Sequence, residues 1–383
     1  MPETGIESRY VLKNGKRLRL GYTTGTCAAA AAKAAALLLF RGQADETVEL
    51  VTPKGIALRL EVLDPRLERG RASCAVRKDA GDDPDATDGI LVYAEVRALP
   101  DPEIEIDGGP GVGRVTKPGL KLPVGAAAIN PAPREMIRRA AEEALAACGQ
   151  SCGLSVLISV PGGAELAKKT FNPRLGIEGG ISILGTSGIV EPMSEDAILE
   201  SLELEIRQKR ALGWERLILV PGNYGADYAR SALGFSDSEL VKCSNYIGCA
   251  LDMAADAGFP EVLLIGHVGK LVKLSGGIMN THSREGDARA ELFAALALRA
   301  GGGAELARTI LDCVTTDGML EALRNAGLLE RAMTLMAERI DLHLRSRVRD
   351  RLRVGAVVFS ENYGELCRTG PAAEWLAEGK SEG

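Results

Sequence analysis

The feature that most constrains this chain is a change of pattern near residue 150. Before it, β-prone segments come in pairs around short polar turns, which is typical of antiparallel hairpins. From Leu154 onward, short continuous apolar segments alternate with glycine-rich turns and helical stretches, which is typical of a parallel sheet covered on both faces. A chain of 383 residues is also longer than one hydrophobic core normally organises. We therefore expect an α+β domain over residues 1–150, followed by an α/β Rossmann-like domain with a mostly parallel sheet over residues 151–383.

Local signals assign elements to the first of these domains. The alanine-rich stretch YTTGTCAAAAAKAAALLLF predicts a helix that ends near Phe40, with the hydroxyl of Thr24 or Thr26 capping its first amides. The segments TVELVTPKG and IALRLEVL predict one hairpin, and ASCAVRKD and ILVYAEVRAL predict another around an acidic loop. A helix over residues 134–148 follows, which completes the α+β pattern.

The second domain is predicted from six apolar segments with helices over residues 195–212 and 246–257 between several of them. These segments are LSVLISV, ISILG, RLILVPG, ELVKCSN, EVLLIG and VGAVVFS. Residues 305–348 are predicted to be mostly helical. Ligands of open parallel sheets bind beyond the carboxyl ends of the strands, so the loops that follow these segments are the first candidates for a site.

Composition excludes several classes of partner. The net charge of −6 and the pI of about 5.5 leave no overall positive field for nucleic acid or an anionic membrane. The longest apolar run, 27–40, contains Lys33 and is shorter than the roughly 20 residues that cross a bilayer. Because many polar residues precede it, the run also lacks the layout of a signal peptide. We expect a cytoplasmic protein.

The eight cysteines are scattered, and without an export signal they are expected to be reduced and free of disulfides. Cys148 and Cys152 are four residues apart, but Gly149 and Gly153 interrupt a helix there and no second pair has zinc-ribbon spacing. We predict no metal bound by the protein itself.

The loop in ISILGTSGIVEP is the first candidate for a cofactor site. Gly185 and Gly188 allow close approach of a ligand to the backbone, Thr186 and Ser187 offer hydroxyls, and Glu191 could accept hydrogen bonds from ribose. The alternative is a tight turn that needs glycine only for its backbone angles. The loop is neither a G-x-G-x-x-G fingerprint nor a phosphate-binding P-loop, which disfavours ordinary dehydrogenases and kinases.

A second candidate site is EVLLIGHVGKLVKLSGGIMNTHSREG, where charged residues gather around the end of an apolar segment. His267 and His282 could move a proton near neutral pH, while Lys270, Lys273 and Arg284 could pair with substrate carboxylates. The alternative is that the lysines are solvated and that His267 is a hydrogen-bonded turn residue.

The acidic loop VRKDAGDDPDATDG could gather a hard cation through carboxylate oxygens. Its acidic residues are Asp79, Asp82, Asp83, Asp85 and Asp88. Asp-Pro and Asp-Gly pairs are also ordinary turn chemistry, so a solvated hairpin loop is the alternative.

Three glycine-rich segments add polar groups. GGPGVGRVTKPGLKLPVGAAAINP could wrap an acidic ligand or form a mobile linker, and SVPGGAELAKKTFNPRLG and LVPGNYGADYA place Pro-Gly after apolar strands. The side chains they present are those of Arg114, Lys117, Lys121, Lys168, Lys169, Arg174, Asn223 and Tyr224.

Taken together, the motifs resemble the signature stretches of the cobalt-precorrin-5B C-1 methyltransferases, the CbiD-like family. In order from Gly21 to Ser283 they are GYTTGTCAAAAAKAA, VTPKG, RKDAGDDPDATDG, GVGRVTKPGL, NPRLGIEGGISILGTSGIVEPMSEDA, GNYG, KCSNYIG and GHVGKLVKLSGGIMNTHS. One departure is Asp88, where the family commonly carries His or Asn. The C-terminal third resembles the family more loosely.

The resemblance implies that S-adenosylmethionine methylates carbon 1 of a ring-contracted cobalt tetrapyrrole to give cobalt-precorrin-6A, in the oxygen-independent branch of cobalamin synthesis. Cobalt then enters only as part of the substrate. The donor is expected at Gly185–Gly188 and Glu191, in a cleft between the domains. Candidates for proton transfer are His267 and His282, with Tyr22, Asp79 and Asp82 as substitutes.

The substrate of such an enzyme carries many acetate and propionate groups, so cationic side chains should line its site even on an acidic protein. Substrate-binding residues are predicted to be Tyr22, Thr23, Thr24, Lys78, Arg114, Lys117, Lys121, Lys270 and Lys273. A nucleotide- or phosphate-binding transferase and a non-catalytic tetrapyrrole carrier remain as alternatives. Both a monomer and a homo-oligomer are compatible with the sequence.

Overall fold

The structure is a computed structural model that describes residues 4–13, 15–170, 172–173 and 175–378. Arg174, one of the predicted polar residues, lies outside the described residues. The chain forms two compact units, Met1–Glu195 (unit 1) and Asp196–Gly383 (unit 2), each containing both helices and strands. This boundary lies 45 residues beyond the expected position at 150. The strand order of the main sheet of unit 1, described below, explains the difference.

Unit 1 contains a long N-terminal helix, a second helix near its middle and many short strands. The helices are α1 (Thr24–Arg41), α2 (Pro131–Ala147) and α3 (Gly163–Ala167). The strands are β1 (Tyr10–Lys13), β2 (Lys16–Arg19), β3 (Gly21–Tyr22), β4 (Thr47–Val51), β5 (Ala57–Glu61), β6 (Leu63–Glu68), β7 (Arg71–Arg77), β8 (Leu91–Leu99), β9 (Ile104–Gly108), β10 (Gly111–Val112), β11 (Arg114–Val115), β12 (Gly153–Ser159), β13 (Ile177–Glu178), β14 (Gly180–Ile181) and β15 (Ile189–Val190).

The main sheet of unit 1 has five strands in the order β6-β7-β8-β12-β9. Its pairs are antiparallel except for β12 with β9, which are parallel. Strand β12 contains most of the segment LSVLISV, which we expected to open the second domain. It instead lies between β8 and β9 and pairs with both, so the chain up to this strand and beyond it belongs to unit 1.

Helix α1 packs against α2 and the main sheet, and its alanines are almost all fully buried. Small side chains allow the backbones of these elements to approach closely. The helix has the predicted extent, but the capping residue is Thr23, whose side chain accepts a hydrogen bond from the amide of Thr26. The predicted hairpins are confirmed as the antiparallel pairs β4–β5 and β7–β8.

The described part of unit 2 contains five strands and most of the helices. The helices are α4 (Glu195–Ala211, beginning at the last residue of unit 1), α5 (Asn223–Leu233), α6 (Ile247–Asp256), α7 (Val268–Leu271), α8 (Arg289–Arg299), α9 (Ala304–Leu311), α10 (Thr316–Asn325), α11 (Leu329–Val348) and α12 (Gly370–Glu378), with a 3-10 helix at Val272–Gly276. The strands are β16 (Arg216–Val220), β17 (Leu240–Lys242), β18 (Glu261–His267), β19 (Arg353–Ser360) and β20 (Gly364–Arg368).

The sheet of unit 2 has the order β17-β16-β18-β19-β20, with all neighbours parallel except the antiparallel edge strand β20. Alternate residues of the parallel strands face opposite cores. Leu217 and Leu264 face α4, α6 and α8–α11, whereas Ile218 and Ile265 face α5 and α12. Four of the six predicted segments form the parallel strands of this sheet. The segment ISILG does not, because it lies in unit 1 and pairs with other segments of that unit.

All eight cysteines are described, and each is free. Among the described residues, no helix is long and apolar enough to cross a membrane.

Candidate functional site

The order of strands in unit 2 creates a point where the chain reverses its direction across the sheet. From β16 the chain passes through α5 to β17 on one side, and from β17 it passes through α6 to β18 on the other side of β16. The loops after β16 and β18 therefore leave the carboxyl edge in opposite directions. Ligands of open parallel sheets bind at this position. We refer to residues 221–224, 267–270 and 360–362 as the unit 2 edge.

Two glycines shape the loop after β16. Gly222 has φ of +150°, which favours glycine, and it is the residue before the first turn of α5. Gly225 lies where a Cβ atom would come within 2.7 Å of the Ile265 carbonyl oxygen, so its missing side chain lets α5 lie close to β18. The motif PGNYG thus combines a turn glycine with a glycine for close helix–strand packing.

Side chains from both loops meet at the unit 2 edge. Tyr224 is 61% exposed, and its ring centroid lies 6.1 Å from that of His267. The Lys270 ammonium donates to the Pro221 carbonyl oxygen, which joins the loop after β18 to the loop after β16. The edge therefore presents an aromatic face beside a half-buried cation.

His267 ends β18 and caps α7, with its Nδ1 accepting a hydrogen bond of 3.1 Å from the Gly269 amide. Burial lowers the pKa of His267, and the carboxylates of Asp317 and Glu361 only partly oppose this effect. The ring is therefore neutral near pH 7. Because Nδ1 is the acceptor, the proton of the neutral ring lies on Nε2, so His267 offers a ligand a donor rather than a base.

Two acidic groups that the sequence analysis missed lie at the end of β19, namely Asp317 on α10 and Glu361 directly after the strand. The Asp317 carboxylate accepts hydrogen bonds from Ser360 Oγ at 2.9 Å and Asn362 Nδ2 at 2.6 Å. Glu361, between these two residues, is exposed, and its carboxylate has no hydrogen bond or ion pair with any described residue. Residue His267 is paired in register with Phe359, so Glu361 lies close to the loop after β18. An acidic residue directly after a predicted buried strand was the signal that could have found it.

Two other predicted residues of this segment lie elsewhere. Lys273 is 2% exposed and donates to the Thr281 carbonyl oxygen at 3.1 Å, with Asp287 3.9 Å away. Burial lowers the pKa of Lys273 and of Lys270. His282 is exposed, and its Nδ1 accepts from the Arg284 amide. Lys273 thus holds the chain after the 3-10 helix instead of presenting its charge to solvent.

The predicted cofactor loop, 185–188, lies in unit 1 against the start of α1, and together with the preceding Leu184 we refer to it as the loop 184–188. The Leu184 carbonyl oxygen accepts from the Gly25 amide at 3.1 Å, and the Gly188 carbonyl oxygen accepts from the Thr26 hydroxyl at 2.6 Å. Gly185 has φ of +119°, and a Cβ atom there would overlap the Thr23 side chain. These contacts give both glycines a packing function.

The other residues of this predicted donor site are also largely engaged within unit 1. The Ser187 hydroxyl forms hydrogen bonds with the backbone of Ile189, and the Glu191 carboxylate forms an ion pair with Lys54. Thr186 is exposed. The loop was predicted as a site because it was expected to follow a strand of the parallel sheet. In the structure it does not follow such a strand.

Arg19 binds the carboxylates at the start of the acidic loop. Its guanidinium binds both Asp79 oxygens, at 2.6 and 2.8 Å, and its backbone amide donates to Asp82 at 2.6 Å. Burial raises the pKa of Asp79, but hydrogen bonds from Arg19 and Gly81 reverse the shift and hold the pKa below its usual value. Asp79 is therefore a structural anion rather than a base.

The rest of the loop is organised by Lys78, which is 2% exposed and forms an ion pair with Asp85. Burial raises the pKa of Asp85, but the charge of Lys78 and hydrogen bonds from Lys78 and Thr87 outweigh it and lower the pKa. Asp88 accepts from the Ala80 amide at 2.8 Å. In the described part of the chain, no three or more acidic, histidine or cysteine side chains are grouped in a way that could hold a metal ion.

Tyr22 is buried, and its hydroxyl donates to the Arg77 carbonyl oxygen at 2.9 Å. Beside it, β3 crosses the acidic loop so closely that a Cβ atom on Gly21 or on Gly81 would overlap the other chain segment. Thr24 is buried as well and donates to the Leu184 carbonyl oxygen at 3.3 Å. Tyr22, Thr23 and Thr24 thus hold loops together.

Three predicted cations of unit 1 lie on one exposed segment. Arg114 pairs with Asp107 at 2.8 Å, while Lys117 and Lys121 are exposed in the loop that follows β11. These are the predicted substrate cations of unit 1 that reach solvent.

A groove of about 650 Å³ in unit 2 was not predicted at all. It lies beside α6 and α11 and is lined by Asp252, Gly277, Met279, His343, Ser346, Arg347, Arg349 and Arg351. Arg347 pairs with Asp252 and Arg351 with Asp256, so only part of the positive charge is free.

Comparison with known proteins decides the family. The protein-family model described as "CbiD" matches residues 11–192, and the family model described as "CbiD, C-terminal domain" matches residues 280–370. The chain is 49% identical over 357 residues to a Ruminiclostridium cellulolyticum protein named cobalt-precorrin-5B C(1)-methyltransferase, with 93% of each chain covered. The chain belongs to the CbiD family.

A second CbiD relative, from Alkaliphilus metalliredigens, bears the same name and is 44% identical over 375 residues, covering 98% of each chain. A crystal structure of the cobalamin biosynthesis protein cbiD from Archaeoglobus fulgidus is 31% identical, covers 74% of this chain and 88% of its own, and has a TM-score of 0.40. The first CbiD model ends close to the boundary between unit 1 and unit 2.

Proposed function

We propose that this CbiD-family chain is a cobalt-precorrin-5B C(1)-methyltransferase that takes the methyl group from S-adenosylmethionine and yields cobalt-precorrin-6A. The observation that carries the proposal is 49% identity over 93% of the chain to a relative with this name. Cobalt is part of the substrate, and the enzyme acts in the cytoplasm on a free tetrapyrrole. The mostly parallel sheet of unit 2, with helices on both faces, suits a Rossmann-like unit for the nucleoside of the donor.

Methyl transfer from a sulfonium is a direct displacement in which the attacking carbon, the methyl carbon and the sulfur lie in line. The main task of the protein is therefore to align the two reactants and exclude water. The tetrapyrrole carboxylates need cations that reach solvent, and Arg114, Lys117 and Lys121 meet this requirement. Lys78 and Lys273, which are buried, support the loops instead.

Proton transfer needs a group with a free acceptor atom. His267 and His282 both use Nδ1 to accept backbone amides, and Asp79 is bound on both oxygens by Arg19. We infer that His267 contributes a hydrogen bond from Nε2 and that alignment dominates the rate enhancement.

The test is turnover of purified protein with cobalt-precorrin-5B and a donor carrying an isotopically labelled methyl group. The expected product gains one labelled methyl group, and nuclear magnetic resonance places it on carbon 1. Substrate recovered unchanged, while the A. metalliredigens relative methylates it under the same conditions, would exclude the proposed activity. Label on a different ring carbon would keep the enzyme class and change the position.

A further inference from the structure

The unit 2 edge has features that the methyl donor requires and that the predicted loop 184–188 lacks. It lies where the chain reverses direction across a parallel sheet, which is where nucleosides bind in open α/β sheets. It combines an exposed aromatic ring, a half-buried ammonium and an unpaired carboxylate, which come from the ends of three strands.

We propose that the unit 2 edge binds S-adenosylmethionine, with Tyr224 stacking on the adenine, Glu361 accepting hydrogen bonds from the ribose hydroxyls and Lys270 binding the amino acid carboxylate. The inference rests on the proposed methyltransferase function and names the site where its donor binds. It replaces the loop 184–188 as the donor site.

The three contacts match the chemistry of the ligand. Tyr224 is 61% exposed on the first turn of α5, so a face of its ring is available to a purine. Lys270 uses one N–H on the Pro221 carbonyl oxygen, which fixes its position and leaves two donors for a carboxylate. Glu361 has no described partner, and two acceptor oxygens suit a pair of vicinal hydroxyls.

The loop 184–188 is less suited because its backbone is already engaged. Its Leu184 and Gly188 carbonyl oxygens accept hydrogen bonds from α1, and the space beside Gly185 is filled by Thr23. The Glu191 carboxylate, which was predicted to bind the ribose, is paired with Lys54. These groups would have to break internal contacts to bind a ligand.

The experiment uses two probes that differ by one part of the donor. S-adenosylhomocysteine contains the adenosine and the amino acid, whereas 5′-methylthioadenosine lacks the amino acid. Both are titrated calorimetrically into the full-length wild type and into Tyr224→Ala and Lys270→Met. We expect Tyr224→Ala to raise Kd for both probes roughly 10-fold, because base stacking is lost. Lys270→Met should raise Kd roughly 10-fold for S-adenosylhomocysteine only.

Tyr10→Ala is the matched control, because Tyr10 is also an exposed tyrosine but lies on β1 of unit 1. Thermal unfolding of every variant shows whether a loss of affinity reflects a loss of folding. If the wild type shows no heat of binding, the KM for S-adenosylmethionine in the turnover assay is compared across the same variants.

The outcomes separate the two proposals. A wild type that methylates the substrate, with unchanged donor affinity in both variants, would overturn the inference and leave the proposed function intact. Thr186→Val is titrated in the same way, and its loss of affinity together with normal affinity in Tyr224→Ala would place the donor at the loop 184–188. A wild type that neither binds the donor nor transfers a methyl group would overturn the proposed function itself.

Discussion

Two glycine-rich loops of this protein look alike in sequence and differ in structure. ILGTSG in unit 1 and VPGNYG in unit 2 both follow apolar segments and both contain two glycines. In the first, the glycines make room for Thr23 and Thr52 of the same unit. In the second, they place the start of α5 beside β18 and leave the Tyr224 ring exposed. A glycine pair after a strand therefore indicates close approach, but only the structure shows whether protein or ligand approaches.

The difference predicts that substitutions in the first loop act on folding and those at the unit 2 edge act on binding. The largest effect is expected for Gly185→Ala, because its φ of +119° strains alanine and the new Cβ atom overlaps Thr23. The free energy of unfolding should fall by roughly 4 kcal/mol, as measured by urea denaturation.

Gly42→Ala is the matched control for this change. Gly42 also has a positive φ, of 76°, but a Cβ atom there would meet nothing within 4 Å. Its cost should be only about 1 kcal/mol. Equal costs for the two variants would show that the packing against Thr23 is not what requires glycine at 185.

The next largest effect is expected for Asp85→Asn, which leaves the buried Lys78 ammonium without its counter-charge. The free energy of unfolding should fall by about 3 kcal/mol at pH 7. In the wild type the pKa of Asp85 is lowered on folding, so its stabilisation is complete at neutral pH and is lost as the pH falls through the lowered pKa. The variant should lose less stability on acidification than the wild type.

The exposed pair of Arg41 and Asp45 provides the control for Asp85→Asn. Asp45→Asn should change the free energy of unfolding by less than about 0.5 kcal/mol. A loss at position 85 that is no larger than this would mean that Lys78 finds another partner.

A smaller effect is expected for Tyr22→Phe, which removes the hydrogen bond to the Arg77 carbonyl oxygen. The free energy of unfolding should fall by about 1 kcal/mol. The KM for the tetrapyrrole should not change, because the hydroxyl is buried against protein. An increase in KM without a loss of stability would return Tyr22 to the list of substrate-binding residues.

The smallest effect is expected for His267→Gln, whose side-chain oxygen can still accept the Gly269 amide. Turnover should fall by far less than the roughly 100-fold loss typical of removing a general acid or base. Because burial lowers the pKa of His267, the unfolded chain binds this proton first, and wild-type stability should fall as the pH drops below the ordinary histidine pKa. Denaturation curves between mildly acidic and neutral pH should show a flatter dependence in the variant.

Much of the fold follows from local sequence patterns. The two hairpins and the four parallel strands were predicted because alternation and continuous apolar runs report burial on one or both faces of a sheet. Strand β12 was assigned to the other unit because a central strand of a mixed sheet has the same continuous apolar pattern. Its partners are set by tertiary pairing, which the segment itself does not encode.

The candidate site was predicted only in part. His267 and Lys270 were found because they directly follow an apolar strand, and Tyr224 because it follows Pro-Gly. The sequence did not show that Nδ1 of His267 is occupied or that Lys273 is buried, since both depend on three-dimensional contacts. Ligands bind beyond the carboxyl ends of parallel strands, and Glu361 could have been found by examining the residues directly after the last parallel strand.

The position of β12 also has a consequence for how the chain is made. A ribosome delivers β8 and β9 first, then α2, and only afterwards the strand that must lie between them. A nascent chain of 150 residues therefore exposes one edge of β8 and one edge of β9 that pair only later, with β12. Strand β12 is an internal strand of this sheet and the last of its five strands to be synthesised, so unit 1 cannot be completed during translation until β12 has left the ribosome.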